Sequence, residues 1–327
     1  MTDKHASGRR RWRGPVAAVM LGLAAALPAR AEIAALEIIA PAGPGGGYDQ
    51  HARALQQVLQ DRGLAENIQV MNVPGAGGTI GLAQFVTGRK RSPSLMIAGI
   101  GMEGAILLNE SPVTLDQVTP LARLTGEYQP LFVAADSPIR TLDDLAAMYR
   151  ADPGSVSWGG FAAGSPDHMI SALVVKAIGG DVAQMNYVPS GAGGELIAAV
   201  MGGHLTVGTA GFNEVAGQIQ AGKLRALGIS SPERLPGVDV PTFREQGVDV
   251  TFVNWRGVMA PAGMRPGDLE DLAQAVDAVV KSPEWQAILQ RNAWLDMYMP
   301  SDAFQAFLDE DQAQVEGILT ELGLVQP

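Results

Sequence analysis

The chain has 327 residues, 23 of them Lys or Arg against 34 Asp or Glu, for a net charge of −11 at pH 7, and 47% of its residues are hydrophobic. Such an acidic surface repels nucleic acid and offers no basic patch for it, while the hydrophobic fraction and the length support more than one domain of ordinary size. The absence of cysteine excludes disulfides, thiolate metal sites and a thiol nucleophile.

At the N-terminus, Arg9, Arg10, Arg11 and Arg13 precede an apolar run from Val16 to Leu27, and Ala29-Arg30-Ala31 has the small-x-small form of a cleavage site. Residues 1–31 therefore read as a signal peptide cut after Ala31, and the mature chain as periplasmic. Arg9-Arg10-Arg11-Trp12 is a weak twin-arginine match, so general secretion is the expected route, with an uncleaved anchor as the alternative. Cleavage removes six of the 23 basic residues and one of the 34 acidic ones, which takes the net charge to −16. No later stretch reaches the roughly 20 apolar residues that a membrane-spanning helix needs.

Leu36, Ile38 and Ile39 make a short apolar strand, followed by PAGPGGGYDQHARALQQVL from Pro41. Ala52, Leu55, Val58 and Leu59 fall on one helical face, and Asp49 is available as its cap. Glycines before a helix let a ligand approach backbone N–H groups at the positive end of the helix dipole, which describes an anion site. The pattern recurs. Ile68 and Val70 lead through Gly75, Gly77 and Gly78 to a helix that Thr79 can cap, with Leu82, Phe85 and Val86 on one face. Val156-Ser157-Trp158 leads through Gly159, Gly160 and Gly164 to Ser165 as N-cap and Pro166 at the first helical position. Asn186-Tyr187-Val188 leads through Ser190, Gly191, Gly193 and Gly194 to Leu196, Ala199 and Val200.

None of these loops fits a nucleotide fingerprint. G-x-G-x-x-G read from Gly43 ends on Tyr48, and the near P-loop at Gly217 has Leu224 where magnesium needs Ser or Thr. His5 lies in the leader, and His51, His168 and His204 have no partner at metal-ligand spacing, so no metal and no cofactor are expected. Strands alternating with helices indicate parallel sheets, whose ligands bind beyond the carboxyl ends of the strands. Crossings between two such sheets are expected at Pro130–Ala135 and Val250–Trp255, giving a discontinuous first domain of 32–133 plus 254–327 and a second of 134–253. Helical segments opened by Pro266, Pro283 and Pro300 are expected to pack back on the first domain. Each glycine loop taken alone also has a plainer reading, a tight strand-to-helix turn.

With these motifs assembled, the chain resembles the solute-binding receptors of tripartite tricarboxylate transporters, the TctC or Bug family. The resemblance runs over the whole mature sequence through PAGPGGGYDQHAR (41–53), NVPGAGGTIG (72–81), SPVTLDQVTPLARLTGEY (111–128), ADSPIRTLDDL (135–145), GSPDH (164–168), NYVPSGAGGELIAAVMGG (186–203), AGKLRALGISSPERLPGVDVPTFREQG (221–247) and NWRGVMAP (254–261). It implies an α/β fold of the type II periplasmic binding protein kind, two α/β domains with a ligand cleft between them. It implies no enzyme but a monomeric receptor that closes on a small di- or tricarboxylate, citrate-like or other, and delivers it to membrane permease subunits. By motif, the first wall would be Gly46, Gly47, Tyr48, Asp49, Gly77 and Thr79, and the second Ser165, His168, Ser190, Gly191 and Gly193. Many relatives carry an Asp two residues after His204; here Thr206 stands there.

Arg256 has two readings, an ion pair with a surface acid or a guanidinium forked onto a ligand carboxylate. His168 is either an ordinary first-turn residue or a donor to ligand; a charged donor would make affinity fall as pH rises through about 6.5. The rival classes are a ligand-presenting sensor for a membrane histidine kinase and an exported hydrolase, although no G-x-S-x-G elbow is present.

Overall fold

Short apolar runs become strands and the glycine loops become the turns that follow them. The computed structural model describes Thr2 and residues 33–88, 93–191 and 193–326; the expected leader, Thr2 apart, lies outside the described residues. β1 (Ile33–Ala40) leads to α1 (Gly47–Asp61), β2 (Ala65–Asn72) to α2 (Thr79–Thr87), and β3 (Ser94–Gly99) to α3 (Ile100–Leu108). Next come β4 (Val118–Glu127), β5 (Pro130–Ala134), α4 (Leu142–Ala151), β6 (Ser157–Gly160), α5 (Pro166–Ala177), β7 (Asn186–Pro189) and α6 (Gly193–Met201). β8 (Val207–Thr209), α7 (Phe212–Gln220), β9 (Leu224–Ile229) and β10 (Asn254–Pro261) follow. The described chain closes with α8 (Pro266–Val280), α9 (Pro283–Asn292), β11 (Leu295–Pro300) and α10 (Ser301–Glu321).

The strands form a six-stranded sheet in the order β11-β4-β10-β3-β1-β2 and a five-stranded sheet in the order β7-β6-β8-β5-β9. Both are mixed, where the alternation of strands and helices predicts parallel ones. β2, β1 and β3 are mutually parallel, as are β7, β6 and β8, but β10 runs antiparallel to β3 and β4, and β5 antiparallel to β8 and β9. The reason is the direction of entry. β1, β2 and β3 carry their carboxyl ends to the edge where the chain crosses, whereas β10 and β5 begin at that edge and run away from it.

The crossings lie close to the expected positions, with one correction. Residues 130–133, assigned above to the first domain, are β5 of the five-stranded sheet, so the chain changes sheets at Tyr128–Gln129. The buried Ser230 stitches the two crossings together: its Oγ accepts from the Gln129 N–H at 3.0 Å and donates to the Phe252 carbonyl at 2.7 Å. Its own N–H donates to the Gln129 carbonyl at 3.1 Å.

The helical periodicity of α1 is realised in the core. Ala52, Leu55, Val58 and Leu59 are buried against the six-stranded sheet and against α8 and α9, together with Leu272, Val276 and Trp285. Each buried Leu or Val side chain among them contributes about 1.5–3 kcal/mol of transfer free energy. α10 packs on β4 and α3, so the C-terminal helices return to the first sheet as expected. No helix among the described residues is long and apolar enough to cross a membrane.

Candidate functional site

The glycine loops of both sheets lie at the carboxyl ends of their strands and face one another. Gln50 of α1 accepts a hydrogen bond at 3.0 Å from Asn213 of α7, which joins the walls directly. α1 begins behind Gly46, which has no side chain to cap it. No described group accepts from the N–H groups of Gly47, Tyr48 and Asp49, so a long helix presents its first-turn donors at the cleft. Gly47 is bare for a reason: a Cβ there would sit 3.0 Å from an Arg256 guanidinium nitrogen.

Asp49 is not the cap. It is the third residue of α1, buried, and its carboxylate reaches back to the Gly45 N–H at 2.8 Å while accepting from Arg53 at 2.9 Å and Asn72 at 2.9 Å. These bonds hold it below the usual carboxylate range against the opposing effect of burial. Its oxygens brace the loop and have nothing left for an anion. Thr79 is not a cap either; it follows Gly78 and donates its hydroxyl to the Ala76 carbonyl at 2.9 Å. Gly77 has a left-handed φ of 64° and packs bare against Ala105 of α3, so this loop shapes the wall through its turn. The buried Tyr48 ring lies 4.8 Å from the Arg256 guanidinium, and burial raises its phenol.

On the second wall Ser165 caps α5 as expected, accepting from the His168 N–H at 3.4 Å, with Pro166 next. His168 is stacked on Tyr187 with ring centroids 4.0 Å apart, and its Nδ1 accepts from the Gly164 N–H at 3.2 Å. Burial pushes this imidazole down to about 4, so it is neutral at physiological pH and its Nε2 carries the proton. In the ligand-free cleft this favours an uncharged role for His168 over a charged donor. Ser190 continues the strand, its N–H bonded to the Gly160 carbonyl at 2.8 Å, and the Gly191 N–H is taken by the Glu195 carboxylate at 3.1 Å. Gly193 packs toward α7 of the same wall: a Cβ there would lie 2.6 Å from a Glu214 carboxylate oxygen. Thr206 is at the other end of the sheet, bonded to Ser157 before β8, and takes no part.

The centre of the cleft is electrostatic. Arg256, the third residue of β10, is buried and donates to the Asn254 side chain and, at 3.1 Å, to the Trp255 carbonyl. Its nearest acid is no surface residue but the buried Glu127 at the end of β4, 3.8 Å away, which also accepts from Asn254 at 3.2 Å. The Arg256 Nε is buried and unpartnered. Asp167 of α5 accepts from the Gln129 amide and, at 2.8 Å, from the Phe161 N–H. Glu214 stands in the first turn of α7. Burial raises all three carboxyls, Asp167 to about 7 and Glu214 to about 8; repulsion from neighbouring acids adds to it for Asp167 and Glu214, and Arg256 opposes it at all three.

Sequence reasoning named Arg256 and the loops but missed Glu127, Gln129, Asp167, Glu214 and Asn254. Most of them lie inside motifs already singled out: Glu127 in LTGEY, Asp167 in GSPDH, Asn254 in NWRG. Glu214 follows Gly211 after the short β8, a further strand–glycine–helix unit too brief to register as periodicity.

A family model described as the tripartite tricarboxylate transporter family receptor, TctC, matches residues 51–324. Protein BugT of Bordetella pertussis is 27% identical over 296 residues, covering 88% of this chain and 89% of that protein. A TctC solute-binding protein from Polaromonas superposes with a TM-score of 0.65 at 27% identity, over 89% of this chain and 99% of that one. Rpa4515 of R. palustris, solved with adipate, shares the fold with a TM-score of 0.81 at 20% identity over 90% and 98%. The chain belongs to the TctC family of tripartite tricarboxylate transporter receptors, and it is a solute receptor, not an enzyme.

Proposed function

We propose that this chain is a periplasmic receptor that captures a small di- or tricarboxylate between its two sheets and delivers it to the permease of a tripartite transporter. The observation that carries the reading is the uncapped start of α1: three backbone N–H donors at a helix N-terminus, with the Arg256 guanidinium directly behind Gly47. Both favour an anion, and a planar carboxylate matches the guanidinium fork. The adipate held by Rpa4515 supports the ligand class. In this reading Gly46, Gly47 and Tyr48 form the first wall with Gly77 and Thr79 shaping it, and Ser165, His168, Ser190, Gly191 and Gly193 line the second. Asp49 holds the loop rather than the ligand. Closure follows from differential affinity, because the ligand touches both walls only when they meet.

The test is thermal unfolding of the purified chain, denatured and refolded to strip carried ligand, against a panel of di- and tricarboxylates. A ligand at 100 times its dissociation constant adds about 2.7 kcal/mol of stability, a shift of several degrees in Tm. A shift with one group of acids supports the reading and names the class; no shift with any carboxylate overturns it.

A further inference from the structure

We infer that His51 is a positioning residue of the anion site: its imidazole fixes the peptide group between Gly47 and Tyr48 so that the Tyr48 N–H is held toward the ligand carboxylate. The inference rests on the carboxylate-receptor reading and gives that site a residue that acts without touching the ligand.

His51 lies one turn into α1, behind the uncapped N–H groups, and is buried. Its Nδ1 is 2.7 Å from the Gly47 carbonyl oxygen and its Nε2 is 2.8 Å from the Thr125 Oγ1. A carbonyl can only accept, so Nδ1 carries the proton; Nε2 is then the acceptor, and the Thr125 hydroxyl donates to it. Both ring nitrogens are thereby used. The ring plane is set by Trp294, which stacks on it with centroids 3.6 Å apart. Burial and the nearby Arg256 charge push the imidazole down to about 3, which keeps it in this neutral form.

The carbonyl that His51 grips is the far end of one of the cleft's donors. The Gly47 C=O and the Tyr48 N–H belong to one planar peptide group, so a bond that fixes the direction of the oxygen fixes that of the N–H as well. A hydrogen bond donated to the oxygen also polarises the group and strengthens the N–H as a donor. His51 further ties this peptide to the cation of the site. Thr125 on β4 pairs with Arg256 on β10 across the sheet, and a Cβ on Gly47 would lie 3.0 Å from the Arg256 guanidinium. The bonds running from Gly47 through His51 to Thr125 therefore hold the helix start and the guanidinium in one frame, and these are the two groups that must meet the same carboxylate.

The experiment compares His51→Asn with His51→Phe in the full chain. Asn puts an amide N–H where Nδ1 stands and gives up Thr125; Phe keeps a ring against Trp294 and gives up both bonds. Both variants and the wild type are titrated calorimetrically with succinate, malate, adipate and citrate and unfolded in urea, and the wild-type ring tautomer is read from a long-range proton–nitrogen correlation spectrum. The expected tautomer has its proton on Nδ1. His51→Phe is expected to be the more stable variant and yet to bind roughly tenfold more weakly than the wild type, the scale of one hydrogen bond, while His51→Asn stays within about threefold. A proton on Nε2, wild-type affinity in His51→Phe, or an Asn variant that binds no better than the Phe variant overturns the inference and leaves the receptor reading standing. A wild type that binds none of the four acids, nor any other of the wider panel, overturns the receptor reading and the positioning role with it.

Discussion

Replacing Arg256 with Met removes the positive charge and keeps the side chain's bulk. Arg256 and Glu127 are both buried with 3.8 Å between their nearest charged atoms. At an effective dielectric constant of about 20, that separation is worth about 4 kcal/mol of attraction. The variant can escape by protonating Glu127, and that route has its own cost. From an ordinary Glu value of about 4.3, keeping the group neutral at pH 7.5 costs about 4 kcal/mol, and at pH 5 only about 1 kcal/mol. Glu127 then has a folded value raised above its unfolded one, so its penalty is absent below about pH 4 and grows as pH rises. Urea unfolding followed by circular dichroism should therefore show Arg256→Met destabilised by about 3–5 kcal/mol at pH 7.5 and much less at pH 5. Adding Glu127→Gln should recover most of the loss, because replacing both members of a buried pair is far milder than removing one. A loss below about 1 kcal/mol at pH 7.5, or one that does not change with pH, refutes the buried-pair reasoning.

His168→Gln keeps an acceptor for the Gly164 N–H but cannot titrate. Because the folded His168 stays neutral down to about 4 while the unfolded chain protonates near 6.5, the wild type should lose about 2 kcal/mol relative to this variant between pH 7.5 and pH 5. A constant difference in urea midpoints would show that His168 does not titrate as described, and a ligand affinity that falls through pH 6.5 and is flattened by the substitution would restore the charged donor. Gly104→Ala places a methyl group against the backbone oxygen of Gly164, where α3 meets the loop before α5. It should cost about 1–3 kcal/mol in denaturant unfolding and widen the solution scattering profile by holding the walls apart; an unchanged melting curve would refute the contact. Ser230→Ala leaves the Gln129 N–H and the Phe252 carbonyl without their partner at the crossings. A cost of about 1–3 kcal/mol is expected, with faster hydrogen exchange at Gln129, and unaltered exchange there would count against a stitched crossing.

The sequence by itself determined what depends on near neighbours. The apolar face of α1, the Ser165-Pro166 start of α5, the glycine loops at strand ends and the alternation of strand and helix are local steric and hydrogen-bonding facts, and each survives in the structure. It did not determine which acceptor a given polar side chain finds. Asp49 and Thr79 each stood where a cap could stand, but glycines before them took the extended or left-handed backbone that opens a helix, and the side chains turned to Arg53, Asn72 and Ala76 instead. Strand direction at the crossings, and with it the membership of β5, depended on where the chain re-enters each sheet. The cluster of Glu127, Asp167, Glu214 and Arg256 exists only because four segments far apart in the chain meet at one edge. Coulomb interaction and desolvation act through space, so the protonation of those groups belongs to the tertiary structure alone.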